Sequence, residues 1–117
     1  MANNTFCHVE FQCTDLQRAQ RFYKGLFDWT FREFGDDMVV FGQGDQHLGG
    51  LQRAESVSPG TSPSVWIQVE KIEPYLEKAP KVGGKAGSEK QPIPNVGFSA
   101  SVIDPDGNCV GLVEFAS

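Results

Sequence analysis

The chain carries one pattern twice, and that duplication constrains the fold more than any other feature of the sequence. Cys7-His8-Val9-Glu10-Phe11-Gln12-Cys13 leads into a helix beginning near Asp15; 56 residues later, Pro63-Ser64-Val65-Trp66-Ile67-Gln68-Val69 leads into a helix beginning near Lys71. Both segments alternate apolar and polar positions, the period-two signature of a half-buried strand. Cys7, Val9, Phe11 and Cys13 take the core face of the first copy, and Val65, Ile67 and Val69 that of the second. The other face sets His8 against Ser64, Glu10 against Trp66 and Gln12 against Gln68. The copies share an architecture and differ where chemistry is expected.

The remaining elements repeat in the same order. Thr14 and Asp15 offer N-cap oxygens, with Gln17 in capping-box spacing from Thr14. Leu16, Ala19, Phe22, Tyr23, Leu26 and Phe27 recur at three and four, giving an amphipathic helix that ends between Gly25 and Asp28. Strands are expected over Trp29–Phe34, Met38–Gly42 and His47–Arg53, separated by glycine- and aspartate-rich turns. Residues 54–63 form an aperiodic connector. In the second copy Ile72, Tyr75, Leu76, Ala79 and Val82 form the helix stripe, stopped by Pro80 and Gly83-Gly84. An irregular strand over Lys85–Glu89, a Pro92/Pro94 loop and a strand over Gly97–Ile103 follow. Asp104-Pro105-Asp106-Gly107 has the residue order of a type I turn and leads into the last strand, Asn108–Phe115. The predicted fold is α+β: one domain over residues 5–116, made of tandem βαβββ modules at 5–53 and 64–116. Neither module has enough surface to bury its sheet well alone. Together they are expected to form a curved mixed sheet around a cleft, with the helices packed outside. The cleft face would carry His8, Glu10, Gln12, Ser64, Trp66 and Gln68, the polar and aromatic mixture of a small-molecule site.

Composition narrows the partners. The formal charge is −5 and no segment gathers Lys and Arg into a patch, so neither nucleic acid nor an anionic membrane is an expected partner. No apolar stretch approaches the roughly 20 residues of a membrane span, and Met1-Ala2-Asn3-Asn4-Thr5 lacks the pattern of a signal peptide. The three cysteines have no zinc-finger spacing, and Cys7 and Cys13 sit on a core face. A cytoplasmic protein with reduced thiols is the expectation.

Several side chains on the polar face have more than one use. His8 suits a lone metal ligand, a general base or a hydrogen-bonding wall residue. Glu10 shares its face about 7 Å away at Cα, which allows either an acid/base pair or a carboxylate facing water. Trp66 suits ligand contact, packing against the Pro92–Pro94 loop, or a dimer interface. His47, beside a turn, is expected in solvent. No Ser-His-Asp arrangement or CxxC motif is present. The glycines at 42, 44, 49 and 50 precede no helix, which excludes a nucleotide-cradling loop.

Across residues 5 to 116 the chain resembles the vicinal oxygen chelate superfamily, the glyoxalase, bleomycin-resistance and extradiol dioxygenase group. The resemblance is carried by the His8 strand running into Asp15-Leu16-Gln17-Arg18-Ala19-Gln20-Arg21-Phe22-Tyr23, by Gly83-Gly84, and by Asp104-Pro105-Asp106-Gly107-Asn108. Gly49-Gly50-Leu51, Pro94-Asn95-Val96-Gly97-Phe98 and Gly111-Leu112 are similar to a small glyoxalase-like subgroup. The resemblance implies a divalent metal held by one residue from the first and last strand of each module. Those positions fall here on His8, Gly50, Ser64 and Gly111. One side chain with a strong ligand does not make a site that wants three or four. The two glycines would leave space where carboxylates project in the family, or else mark strand curvature. Glu114 lies at an odd offset from Gly111 and so on the opposite strand face.

The expectation is therefore a homodimeric protein with no cofactor. It would bind a small, partly aromatic metabolite at His8, Glu10, Gln12, Gly50, Ser64, Trp66, Gln68 and Gly111, without the metal tetrad. The alternative is a lyase, isomerase or dioxygenase-type enzyme using His8 and Glu10, with or without a divalent metal. Glyoxalase I activity itself is not expected. A third reading is an interaction subunit whose cleft is filled by its own side chains.

Overall fold

Strand β1 (Thr5–Cys13) begins the first of two compact backbone units, Cys7–Ser64; the second runs from Val65 onward and includes the N-terminal residues through Phe6. The computed structural model describes residues 3–58 and 62–116, so residues 59–61 of the expected connector lie outside the described residues. The first unit continues with α1 (Leu16–Phe27), β2 (Thr30–Glu33), β3 (Met38–Gln43) and β4 (Gln46–Arg53). Its sheet order is β2-β3-β4-β1, with β1 parallel to β4 and the other pairs antiparallel. The second unit has β5 (Ser64–Gln68), α2 (Glu73–Lys78), a 3₁₀ turn (Ala79–Val82), β6 (Lys85–Ile93), β7 (Gly97–Ile103) and β8 (Cys109–Phe115). Its order is β5-β8-β7-β6, again with first strand parallel to last. The chain is α+β, and βαβββ is repeated as the sequence predicts.

Each unit has its own core. In the first, Val39, Phe41 and Leu51 are buried among Phe11, Cys13, Leu16, Ala19, Tyr23, Trp29, Phe31 and Leu48. Trp29 lies nearly parallel to Phe41, 4.6 Å between ring centroids, so a large aromatic area is removed from water at the centre of this sheet. In the second, Val69, Ile72, Ala100 and Leu112 are buried, with Ile67, Tyr75, Leu76, Phe98 and Val102 packed around them.

Three details depart from the sequence prediction. The stripe on α1 is narrower than expected. Leu16, Ala19 and Tyr23 reach the core, whereas Phe22 (59% exposed) and Leu26 (62% exposed) turn outward and Phe27 is also exposed. Six apolar positions cover more of a helix surface than one sheet face can bury. The second helix is short and ends in a 3₁₀ turn, so Val82 leaves the predicted stripe and is exposed. Strand β6 runs on through Pro92, paired with Phe98, to Ile93, where a loop is predicted. A proline can remain there because β6 ends its unit's sheet order and needs no second hydrogen-bonded neighbour in that unit.

The caps follow local chemistry. Asp15 is the N-cap of α1 and accepts from the Arg18 amide, while Thr14 accepts from the Arg18 guanidinium instead of closing a capping box. Asp104 accepts from the Asp106 and Asn108 amides and from the Asn108 side chain, which holds the turn ahead of β8. The start of α2 is tied to the sheet by Glu114. This buried carboxylate accepts from the Ile72 amide at 2.9 Å and meets the Lys90 ammonium at 3.2 Å. The Ile72 amide, with Lys90 and Lys71 adding, holds the Glu114 carboxyl below its ordinary range.

Replacing Glu114 by Ala should cost about 1–3 kcal/mol, because Ile72 is fully buried and its amide would lose its acceptor. A carboxyl whose pKa is depressed by folding stabilises fully above its unfolded value, here near 4.5, and less as pH falls through the folded value. Urea midpoints should therefore fall on acidification below that point, and less steeply in Glu114→Gln.

Candidate functional site

Register pairing places the polar face of the first unit in rows across its sheet. Glu10 on β1 pairs with Gly50 on β4, Gly50 with Val40 on β3, and Val40 with Arg32 on β2. His8 stands one step along β1 on the same face as Glu10. Its Nε2 lies 3.2 Å from Glu10 Oε1 and its Nδ1 lies 2.8 Å from His47 Nε2. The two imidazole planes differ by 15° with centroids 5.0 Å apart, so the rings meet nitrogen to nitrogen in nearly one plane.

The donor pattern of this chain follows from valence. An ionised carboxylate only accepts, so His8 Nε2 carries the proton shared with Glu10. With His8 neutral, its Nδ1 then accepts from His47 Nε2–H; with His8 charged, the direction reverses. The pKa of His47 is lowered first by partial burial, then by His8 and by Arg32. Glu10, His8 and His47 thus form one hydrogen-bonded line that can carry a proton.

His47 is exposed beside its turn, as the sequence predicts, but its hydrogen bond to His8 is not foreshadowed by the pattern. Between β3 and β4, Phe41 pairs with Gly49 and Gly42 with His47, so Leu48 is an extra residue in β4. A bulge of this kind reverses the alternation beyond it. Leu48 packs into the core and His47 emerges beside His8, where uninterrupted alternation from Leu51 would send it into the core. Only the glycine-containing turn before it, Gly42-Gln43-Gly44-Asp45, hints at such an irregularity. Arg32 gives no signal in the sequence either, because a lone charge on a short strand carries none until its row is known.

The other predicted site residues fall as follows. Gly50 faces His8 and Met38: a Cβ there would sit 3.3 Å from His8 Cε1 and 3.4 Å from the Met38 sulfur. Gln12 is exposed, and its amide donates to Ser62 Oγ. In the second unit Trp66 pairs with Gly111, the same register that joins Glu10 to Gly50. A Cβ on Gly111 would run into the six-membered ring of Trp66. The space expected at Gly111 is therefore taken up, and Trp66 packs on the glycine backbone of β8. Gln68 donates to Asn3, and its backbone carbonyl accepts from the Asn4 amide. Ser64 opens β5, half-buried. Beyond Gly111 the row continues to Ser101, whose hydroxyl bonds Ser88.

The donor set does not fit the metal that the resemblance implies. In the first unit both ring nitrogens of His8 are engaged, one by Glu10 and one by His47, and Gly50 brings no donor. In the second unit the Gly111 position is covered by an indole, which leaves no room for a carboxylate. Among the described residues no group of three His, Cys, Asp or Glu is arranged to hold an ion.

A groove of about 560 Å³ on the first unit is lined by residues including Asp15, Arg32, Glu33, Asp36, Met38 and Arg53. Two of its charged groups already have structural work. Asp15 caps α1 and Arg53 is paired with Asp37 at 2.6 Å. The His8 face, with a polar line not consumed by capping or turn geometry, is the better candidate.

A model of the glyoxalase/bleomycin resistance protein/dioxygenase superfamily matches residues 5–112. Among solved structures, a hypothetical protein from Bacillus halodurans C-125 is similar with a TM-score of 0.78 at 16% identity, covering 99% of this chain and 97% of that one. Methylmalonyl-CoA epimerase from Mycobacterium tuberculosis is similar with a TM-score of 0.74 at 13% identity, covering 100% and 93%. A superfamily member from Vibrio splendidus 12B01 gives 0.70 at 18% identity, covering 96% and 100%. At these identities the structural likenesses carry the fold alone. No curated protein matches the chain in sequence.

Gly111→Ala should destabilise the protein by about 1–3 kcal/mol, since the indole must shift to admit a methyl group. In a Trp66→Ala background the same substitution should be close to neutral, a coupling that a double-mutant cycle in urea measures.

Proposed function

Because the chain belongs to the glyoxalase/bleomycin resistance protein/dioxygenase superfamily, we propose that it binds a small organic molecule without using that family's metal tetrad. The binding surface is the polar face of the first unit around His8, Glu10 and His47. The observation that carries this reading is the pair of glycines. Gly50 offers no ligand beside a histidine already bonded at both nitrogens, and Gly111 lies under Trp66. The family's ligand positions are filled with packing and hydrogen bonding in place of donors.

A second reading is supported by the Glu10–His8–His47 line. A carboxylate that fixes the imidazole proton, with another imidazole on the far nitrogen, is an arrangement that suits general acid–base catalysis. A ligand that displaces His47 from Nδ1 would meet a neutral nitrogen able to take a proton from an acidic C–H or O–H. This is the chemistry of a metal-independent isomerase or lyase, and it uses the same residues as binding. The binding reading comes first because it requires only the geometry present.

Metal content and ligand response decide between these readings and a metal enzyme. Protein purified without a His tag should carry well under one equivalent of zinc, nickel, manganese or iron, and His8→Ala should not change that content. Stoichiometric metal lost in His8→Ala would overturn the proposal. A ligand for the native state should raise the thermal midpoint with occupancy. That rise should shrink in both His8→Ala and Glu10→Gln.

A further inference from the structure

We propose that the ligand of the first unit's polar face is a small monoanionic carboxylate anchored by Arg32; this rests on the binding reading above and names its substrate class. Arg32 stands on β2 opposite Val40, and strand alternation puts it on the face away from Phe31, which packs into the core. It is exposed, and among the described residues no carboxylate pairs with it. The neighbouring acid, Glu33, lines the same groove as Arg32 but makes no ion pair with it. Arg32 is thus a permanent cation on the face that carries the His8 line.

The row between Arg32 and Glu10 suits such a ligand. Its intervening positions are Val40, which is apolar and buried, and Gly50, which has no side chain and lies beneath His8 and Met38. Three strand spacings separate the row's ends, about 14 Å at Cα. Long side chains reach inward from both ends, so a small acid spans the space between guanidinium and imidazole. A guanidinium fork grips a carboxylate through two parallel hydrogen bonds. With its carboxylate at Arg32, a ligand lays its body over Met38, which with the His8 ring covers Gly50 and shares a groove with Arg32, and directs its far end to His8 and His47.

The charges on this face also favour one negative charge over two. Arg32 is the single guanidinium in the row, whereas Glu10 closes the opposite end with a carboxylate of its own. The chain's formal charge of −5 adds general repulsion of polyanions. A monoanion balances Arg32 and leaves the Glu10–His8 bond intact. A phosphate dianion would add a charge that no second guanidinium in the row meets.

The test uses isothermal titration calorimetry and thermal shift on the full chain with benzoate, phenylacetate and hexanoate. Matched benzamide, phenylacetamide and hexanamide serve as uncharged counterparts, and phenyl phosphate as the dianion. Carboxylates should bind, and amides of the same shape should bind at least about tenfold more weakly. Arg32→Gln should lose about tenfold or more in carboxylate affinity, whereas Arg53→Gln, which breaks only the exposed pair with Asp37, should not. Arg32 is exposed, and an unchanged urea midpoint for Arg32→Gln separates lost binding from lost folding. Equal binding of acids and amides, or undiminished affinity in Arg32→Gln, would overturn the carboxylate anchor while the binding reading stands. Tighter binding of phenyl phosphate than of benzoate would overturn the choice of a monoanion. No response to any member of either series would count against both readings together.

Discussion

The parallel pairing of first and last strand within each unit is the constraint on which the rest depends. It sets Glu10 beside Gly50 in one unit and Trp66 beside Gly111 in the other, by the same register. Once those pairs are fixed, the chemistry of each polar face follows from side-chain size. A glycine beside a carboxylate leaves the imidazole of the next residue open to hydrogen bonding. A glycine beside a tryptophan becomes the floor under an indole. One backbone plan therefore yields a polar, hydrogen-bonded face in the first unit and an aromatic, packed one in the second.

This asymmetry explains why superfamily membership does not bring the family's donor set with it in this chain. Metal sites need several donors brought to one point with free lone pairs. The first unit spends its one matching histidine on bonds to Glu10 and His47, each satisfying a nitrogen that an ion would need. The second unit gives its matching strand position to close aromatic packing. Glu114, the carboxylate nearest that position in sequence, is occupied by the Ile72 amide and Lys90 beneath α2. Each substitution away from a donor has a structural partner that accounts for it.

Much of this was legible in the sequence because it depends on local periodicity. The alternation of Cys7 to Cys13, the Asp104–Gly107 turn and the placement of Glu114 on the core face all follow from counting residues along one strand. What was hidden depends on relations between strands. The extra residue at Leu48 brings His47 to the face of His8, and only the adjoining glycine-containing turn hints at it. The packing of Trp66 on Gly111 requires the register of β5 against β8. The strand through Pro92 requires knowing that β6 ends its sheet, and the outward turn of Phe22 and Leu26 requires knowing how little helix surface the sheet covers. Arg32 gains meaning only as the far end of the Glu10 row.

The central claim is that His8 is committed to hydrogen bonds and not to an ion. Long-range proton–nitrogen correlation spectra of nitrogen-15-labelled protein observe the ring nitrogens of its two histidines directly. The account predicts one hydrogen-bonded imidazole pair whose ring-nitrogen shifts stay unchanged when zinc or manganese is added to one equivalent. A His8 nitrogen signal that moves or broadens in proportion to added metal, saturating at one ion per chain, would contradict it.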